Sequence, residues 1–417
     1  MYFLDRSLRH PLALLLLACT ACVPGSLKLG EDTDDAASGS ASDTGEPTTG
    51  EPAPEGVLEW TRTFNDISGF DMAVAGDGSI VVGGMSGYTF NGGDGGMYAN
   101  LWVGKFDAAG TPLWQVETPI GAEESRSTIA VAVGPDGVVH VLDVDYSVQA
   151  GGGNAIRRFA ADGEALGSTS LPLRPTVIAA IAGGTIVGGA EITDDAASSW
   201  LARLDNEGGV VWEQNLGAPS LLGSNVHAVA VDGDDVIVAG ARGVDQGDSK
   251  SQAWLARIAV ADGATVWERT IEDEVETDIV YDLGLAGDGT ILARVRGDQD
   301  FVRAFSPAGD ELWNQLLTEV RGANIAVASD GSFAMTAGLY LPADDPNSCV
   351  AGDGTCPIAM QVVRHDADRS LRWSSTHDEC PSGNIAAITP DDRVLVLAGC
   401  SKDGLSDAVM GLMMFAP

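Results

Sequence analysis

Residues 101 to 114 read LWVGKFDAAGTPLW, and the phrase returns as WLARLDNEGGVVW at 200 to 212 and WLARIAVADGATVW at 254 to 267. Each copy is an apolar stretch, a turn ending in glycine, and a short strand closing on tryptophan. Ahead of the first copy stand Met72-Ala73-Val74-Ala75, the pair Asp77-Gly78, and Ile80-Val81-Val82-Gly83-Gly84. The whole unit is therefore four strands long. A unit of this kind cannot bury its own faces and must stack on neighbours.

The two tight turns have mechanical reasons. An Asp-Gly pair between apolar strands is expected to form a two-residue hairpin whose central residues take positive φ. It occurs as Asp77-Gly78, Asp136-Gly137, Asp288-Gly289 and Asp330-Gly331, with Gly183-Gly184, Gly233-Asp234 and Asp391-Asp392 as looser versions. The second turn places Asp first, to accept backbone N–H groups, and Gly fourth, to restart the strand.

Closing positions fall at residues 60, 114, 167, 212, 267, 313 and 373, spaced by 45 to 60 residues, with Gly167 standing where the others have Trp. After Trp373 the chain offers three more strands, ending in Val409 to Phe415, and no further tryptophan strand. Val57-Leu58-Glu59-Trp60 is such a strand with no blade before it. The expected fold is all-β: a seven-bladed β-propeller over residues 57–417 whose N-terminal strand completes the last blade. Radial closure of this kind leaves only short, protected edges.

On these phrases the chain resembles bacterial lipoprotein-type propellers built from short repeats of the form FVAKLD-x-x-G-x-x-x-W (SBBP-type), and it is similar in layout to quinoprotein-type and WD-type propellers. The resemblance covers nearly all of residues 57–417 and implies architecture rather than activity. Quinone-dependent propeller dehydrogenases carry adjacent cysteines at their cofactor; this chain has none, so that activity does not carry over. Similarity to the propeller lipoprotein of outer-membrane protein assembly implies a periplasmic assembly role, but that family has eight blades.

The segment before the repeats reads differently. Arg6 and Arg9 precede the apolar run Leu12 to Ala18, too short to span a bilayer and suited to export, so residues 1–18 are expected to be a signal peptide. Leu16-Leu17-Ala18-Cys19 resembles the lipobox of bacterial lipoproteins, which implies lipidation at Cys19; Cys22 is the second candidate, and an ordinary secretory signal is the alternative. The remainder of residues 19–56 is acidic and rich in Ser, Thr, Gly and Pro, and is expected to be a disordered linker reaching roughly 30 to 40 Å.

The formal net charge is −37. Nucleic acid is excluded as a partner, because phosphate binding needs clustered Lys and Arg. A bare anionic membrane is excluded for the same reason, leaving a lipid anchor as the membrane link and a monomer as the expected state. The chain is thus expected to be exported and held at the cell envelope, at the outer membrane or in the periplasm.

No nucleophile elbow, zinc helix, phosphate loop or calcium loop is present in the sequence. His140 falls within an apolar strand pattern and His227 begins one, and both read as packing or hydrogen-bonding residues rather than ligands. His377-x-x-Cys380 has metal-ligand chemistry, with His365 near by, but in an oxidising compartment Cys349, Cys356, Cys380 and Cys400 read as two disulfides. Sequence proximity pairs Cys349 with Cys356 and Cys380 with Cys400, one of three possible pairings. The string Glu272, Asp273, Glu274, Glu276 and Asp278 would attract Ca²⁺ through oxygen density, yet lacks a turn supplying six ligands, so no cofactor or metal is expected.

Binding surfaces on rigid scaffolds are usually built from variable loops. The connections between second and third strands vary most: residues 85 to 100 are long and carry Tyr88, Phe90, Asn91 and Tyr98, residues 338 to 358 hold a cysteine pair, and residues 296 to 299 are short. The favoured function is a non-enzymatic binding or scaffold propeller whose partner is a protein or carbohydrate at the envelope. A propeller hydrolase or lyase with carboxylates at the central channel is the alternative, and a raised carboxyl pKa there would be its signature.

Overall fold

The computed structural model describes residues 54–91, 96–119, 126–145, 153–171, 174–192, 197–217, 224–243, 251–271, 279–296, 300–317, 324–340, 357–400 and 409–417. Cys19, Cys22, the acidic linker before residue 54, the string from Glu272 to Asp278, and Cys349 with Cys356 lie outside these residues.

Seven four-stranded antiparallel sheets make up the fold. Blades 1 to 6 are consecutive in the chain, over residues 67–118, 126–170, 174–215, 225–270, 279–317 and 325–377. Blade 7 takes Ser382–Ile388, Val394–Gly399 and Val409–Phe415, and its outermost strand is Leu58–Asn65 from the other end of the chain. That strand pairs antiparallel with the last one, Trp60 opposite Met414 and Phe64 opposite Met410. Gly56 N and Ala416 N donate across the same seam, to Ala416 O at 3.2 Å and Val57 O at 2.9 Å.

The apolar core is divided among the seven boundaries between blades. Each buried cluster takes residues from two neighbouring blades. Alternate residues of one strand serve opposite sides: Val236 and Val238 pack toward blade 3, Ile237 and Ala239 toward blade 5. This is why the second and third strands read as unbroken apolar runs. The closing boundary is as apolar as the rest, joining Leu395, Leu397, Met410, Leu412 and Met414 to Ile67, Met72, Val82 and Phe106.

The first strands of neighbouring blades lie against one another all round the ring and form the channel wall. Most carry a one-residue bulge, and register from the bulge, or from the turn in blade 6, aligns the blades. One aligned position holds Ala73, Ala132, Ala179, Ala230, Gly284, Ala326 and Ala387. Converging strands leave no room for more: a Cβ on Gly284 would meet Val327 Cγ2 of the next blade at 2.5 Å.

The repeated tryptophans latch blades to their neighbours wherever the motif keeps them. Trp114, Trp212 and Trp267 donate their indole N–H to Ala161 O, Val260 O and Pro307 O, in the third-to-fourth strand turn of the following blade, at 3.0, 2.8 and 3.0 Å. The turn glycine lies under the ring: a Cβ on Gly163, Gly263 or Gly309 would stand 2.9 Å from Trp114, Trp212 or Trp267. Trp60 covers Gly110 of blade 1 in the same way, and Trp373 covers Gly56, so the latch also spans the ring closure. The basic residue of the motif assists, Lys105 Nζ reaching Ala161 O at 3.3 Å and Arg203 Nη1 reaching Val260 O at 3.1 Å.

Two local expectations change. The Asp-Gly turns are not two-residue hairpins with two positive φ angles. Gly78 N donates to Ala75 O at 2.9 Å and Ala75 N to Ser79 O at 2.8 Å, a three-residue loop in which Gly78 alone has positive φ, at 82°. Asp77 acts through its carboxylate, accepting Ser79 N at 2.9 Å. The turns at Asp136, Asp288 and Asp330 repeat this pattern; that at Asp391 keeps the three-residue loop, with Asp392 at φ 68°, but Arg393 N donates to Thr389 Oγ1 instead, whereas Gly183 and Gly233 sit in two-residue loops. The second change is at residues 85 to 100, expected as a loop. Strands Ile80–Asn91 and Gly96–Phe106 extend through most of it as a projecting hairpin, Thr89 opposite Tyr98 and Phe90 opposite Met97.

Cys380 and Cys400 form a disulfide that joins the entry of blade 7 to the end of its second strand.

Candidate functional site

At the residue just past the bulge, the aligned first strands hold Asp71, Ala130, Val177, Ala228, Asp282, Asn324 and Ile385. Two of these are acids, in blades 1 and 5, nearly opposite in a ring of seven.

Both carboxylates are held by backbone. The inner strand of each blade has no partner strand on its channel side, so its N–H groups need acceptors. Val131 N of blade 2 donates to Asp71 Oδ2 at 2.7 Å, and Ile325 N of blade 6 donates to Asp282 Oδ2 at 2.9 Å. Leu283 N adds a bond to Asp282 Oδ1 at 2.9 Å. Each acid thereby staples its own inner strand to the next.

Burial dominates their electrostatics. It pushes the Asp71 carboxyl up to about 7, against the pull of the Val131 and Met72 N–H groups, and the charge of Asp282 adds to the rise. Burial likewise pushes Asp282 up to about 6, while its N–H bonds and Arg294 pull it down. Neither acid forms an ion pair with a basic side chain among the described residues.

The bulged positions beside them are Phe70, Ile129, Thr176, His227, Tyr281 and Asn384. His227 and Tyr281, from blades 4 and 5, are neighbours with ring centroids 5.6 Å apart. Burial pushes His227 down to about 4, so its imidazole is neutral at pH 7. Tyr281 remains 37% exposed. The guanidinium carbons of Arg294 and Arg296 each lie 5.6 Å from the Tyr281 ring centre. Arg294 is buried and donates through Nη2 to Asp300 Oδ1 at 3.0 Å.

The other candidates named from sequence fall elsewhere. His140 is buried, its Nδ1 2.8 Å from Thr185 Oγ1. His365 stacks on Phe333 at 4.9 Å, and His377 lies 2.8 Å from Ser375 Oγ through Nε2. Cys380, bonded to Cys400, has no thiolate to give a metal with His377. Tyr88, Phe90, Asn91 and Tyr98 have extended backbone in the projecting hairpin of blade 1, and their side chains lie outside the described residues.

From sequence His227 reads as a packing or hydrogen-bonding residue, and Asp71, Tyr281 and Asp282 do not stand out. A signal existed: Asp71 and Asp282 each break an apolar strand six residues ahead of the turn aspartates Asp77 and Asp288. Only the alignment of the blades gives that spacing meaning.

No protein-family model matches the chain, and no curated protein matches it. Among solved structures it is similar to the Dos1 propeller, at 10% identity over 85% of this chain and 93% of that one, with TM-score 0.53. BamB from Moraxella catarrhalis gives 15% identity over 86% of this chain and all of the other, with TM-score 0.49. A europium-containing methanol dehydrogenase gives 12% identity over 84% of this chain and 79% of that one, with TM-score 0.46. At these identities the likeness is one of fold.

Proposed function

We propose that this chain is a non-enzymatic binding propeller, tethered at the cell envelope through a lipidated Cys19 or Cys22, and that it takes its ligand at the channel wall and mouth. The observation that carries this reading is the division of labour among residues. Motif residues repeated from blade to blade are engaged in latching blades together, as the Trp267–Pro307 and Arg203–Val260 bonds illustrate. Chemistry that differs from blade to blade gathers on the inner strands, at Asp71, His227, Tyr281 and Asp282. A rigid closed scaffold with irregular polar groups at its centre is suited to recognition.

The reading is tested by capture from envelope extract with the tethered full chain and its Tyr281→Ala variant. A protein or carbohydrate retained by the first and lost by the second supports it. Recovery of no partner, together with turnover of a substrate, would reject it.

A second reading, a hydrolase or lyase, draws support from Asp71, since a carboxyl near 7 can hold and release a proton at neutral pH. For that reading Asp71→Asn must abolish turnover.

A further inference from the structure

Six of the seven outer strands carry tryptophan at the place facing the next blade, and blade 2 carries Gly167 there. Register fixes the equivalence: Gly167 stands opposite Arg158 as Trp114 stands opposite Lys105, Trp212 opposite Arg203 and Trp267 opposite Arg257. The backbone is set for no side chain at all, since Gly167 has φ 131°, a positive value that strains any other residue.

Blade 2 lacks a second tryptophan as well, Ala155 standing where blades 1, 3 and 4 have Trp102, Trp200 and Trp254. That loss is refilled: Asp143, opposite Ala155 and fully buried, accepts Arg126 Nη1 at 3.0 Å and Arg157 Nε at 2.8 Å. The loss at Gly167 is not. Apart from its chain neighbours, the one described residue within 4 Å of a Cβ built there is Arg158, its Nη2 at 3.9 Å. Ala165 to Ser168 are exposed around it. The turn of blade 3 rests instead on Thr169, two residues along the same face, where a Cβ on Gly208 would run into Oγ1.

Two groups at this junction lack the bonds their counterparts make. Lys105 Nζ and Trp114 Nε1 both reach Ala161 O, and Arg203 Nη1 and Trp212 Nε1 both reach Val260 O. Asn206 O holds that place in the turn of blade 3 and accepts no bond from a described donor. Arg158 has no hydrogen-bond or ion-pair partner among the described residues.

What fits beside them is shown elsewhere in the ring. Guanidinium groups lie against the latch tryptophans, Arg62 at Trp60 and Arg269 at Trp267 with 5.6 Å to the ring centre, Arg369 at Trp313 with 5.5 Å. This chain has no tryptophan to spare: of its nine, six are on the outer strands and Trp102, Trp200 and Trp254 are buried. An indole for the open place must come from another molecule.

We propose that the rim between blades 2 and 3 is a docking notch for a tryptophan side chain of a partner protein, its ring laid over Gly167 and against Arg158. The notch lies on the outer strands, so it goes beyond the channel reading and does not rest on it.

Titration of the full chain with N-acetyl-tryptophan amide, followed by ligand-detected nuclear magnetic resonance, tests the notch. N-acetyl-cyclohexylalanine amide, of similar bulk without a π face, is the control. The tryptophan probe should bind one to one and the control should not. Arg158→Ala should weaken binding by about fivefold or more. Arg269→Ala, which takes a guanidinium from a junction that Trp267 already fills, should change it by less than about twofold. Should Arg158→Ala not fold, Arg158→Gln, which keeps part of the stem, takes its place. The notch is overturned if the tryptophan probe does not bind, if the cyclohexylalanine control binds equally well, or if the Arg158 and Arg269 variants behave alike. Free indole binding more tightly than the amide would make the place a small-molecule site and reject the docking of a partner.

Discussion

The outer half of each blade and the channel wall are built from the same repeat, yet they treat it in opposite ways. At the rim, Trp60, Trp114, Trp212, Trp267 and Trp373 each cover the turn glycine of the following blade, or Gly56 at the closure. In these blades equivalent positions carry equivalent residues because each serves the same kind of junction; Gly167 in blade 2 and Arg369 beside Trp313 are the departures. At the wall, one aligned position carries acid, alanine, valine, asparagine and isoleucine in different blades. Variation exists there because the side chain past the bulge can serve two ends: Ala130, Val177 and Ala228 join the core, while Asp71 and Asp282 bond the backbone of the next blade. The lesson is that repetition marks what holds the ring together, and departure from repetition marks where it can be specialised.

The comparison breaks most readily at the seam. Deleting residues 54 to 65 removes the outer strand of blade 7 and the segment lying on Trp373, and should abolish the single cooperative thermal transition. A truncated chain that kept the full transition by calorimetry would mean that the rim does not close the ring.

Next in size, Trp267→Ala takes away a ring lodged over Gly309 and the bond to Pro307 O, and should cost about 3 kcal/mol in urea unfolding. A cost below about 1 kcal/mol would erase the distinction between rim and wall. Replacing both Cys380 and Cys400 by Ser opens a link across 20 residues and should cost about 3 kcal/mol or less, seen as a lower Tm that reducing agent does not lower further.

The smallest effect has the opposite sign, and it sharpens the contrast. Between pH about 4 and 7 the folded chain keeps a proton on Asp71 that the unfolded chain has released, so this group makes stability fall as pH rises through that window. Asp71→Asn should therefore match the wild type at pH 4 and exceed it at pH 8, by on the order of 2 kcal/mol after solvent screening in the channel. Asn324 at the aligned position of blade 6 indicates that the wall accepts the amide. His140 and His227, both pushed down to about 4 by burial, act the other way between pH about 4 and 6.5, so the difference between variant and wild type isolates Asp71. A variant less stable than the wild type at pH 8 would recast Asp71 as a structural staple alone.

Much of this architecture could be read from the chain. The spacing of Trp60, Trp114, Trp212, Trp267, Trp313 and Trp373 counted the blades, and the unpartnered strand at Trp60 indicated how the ring closes. The Asp-Gly turns were located correctly but with the wrong loop length, because Asp works there through its carboxylate and leaves the positive φ to glycine. The projecting hairpin of blade 1 was hidden because Gly92, Gly93, Gly95 and Gly96 read as loop.

Sequence by itself determined the number, order and closure of the blades, since those rest on local chemistry repeated within each unit: a turn, an apolar run, a tryptophan. Only the tertiary structure decided that Asp71 and Asp282, separated by most of four blades, share one wall, and that His227 meets Tyr281 there. The reason is geometric. Closing the ring brings distant first strands together at one axis, and a lone acid in an apolar strand acquires its raised pKa and its neighbours only once that axis exists.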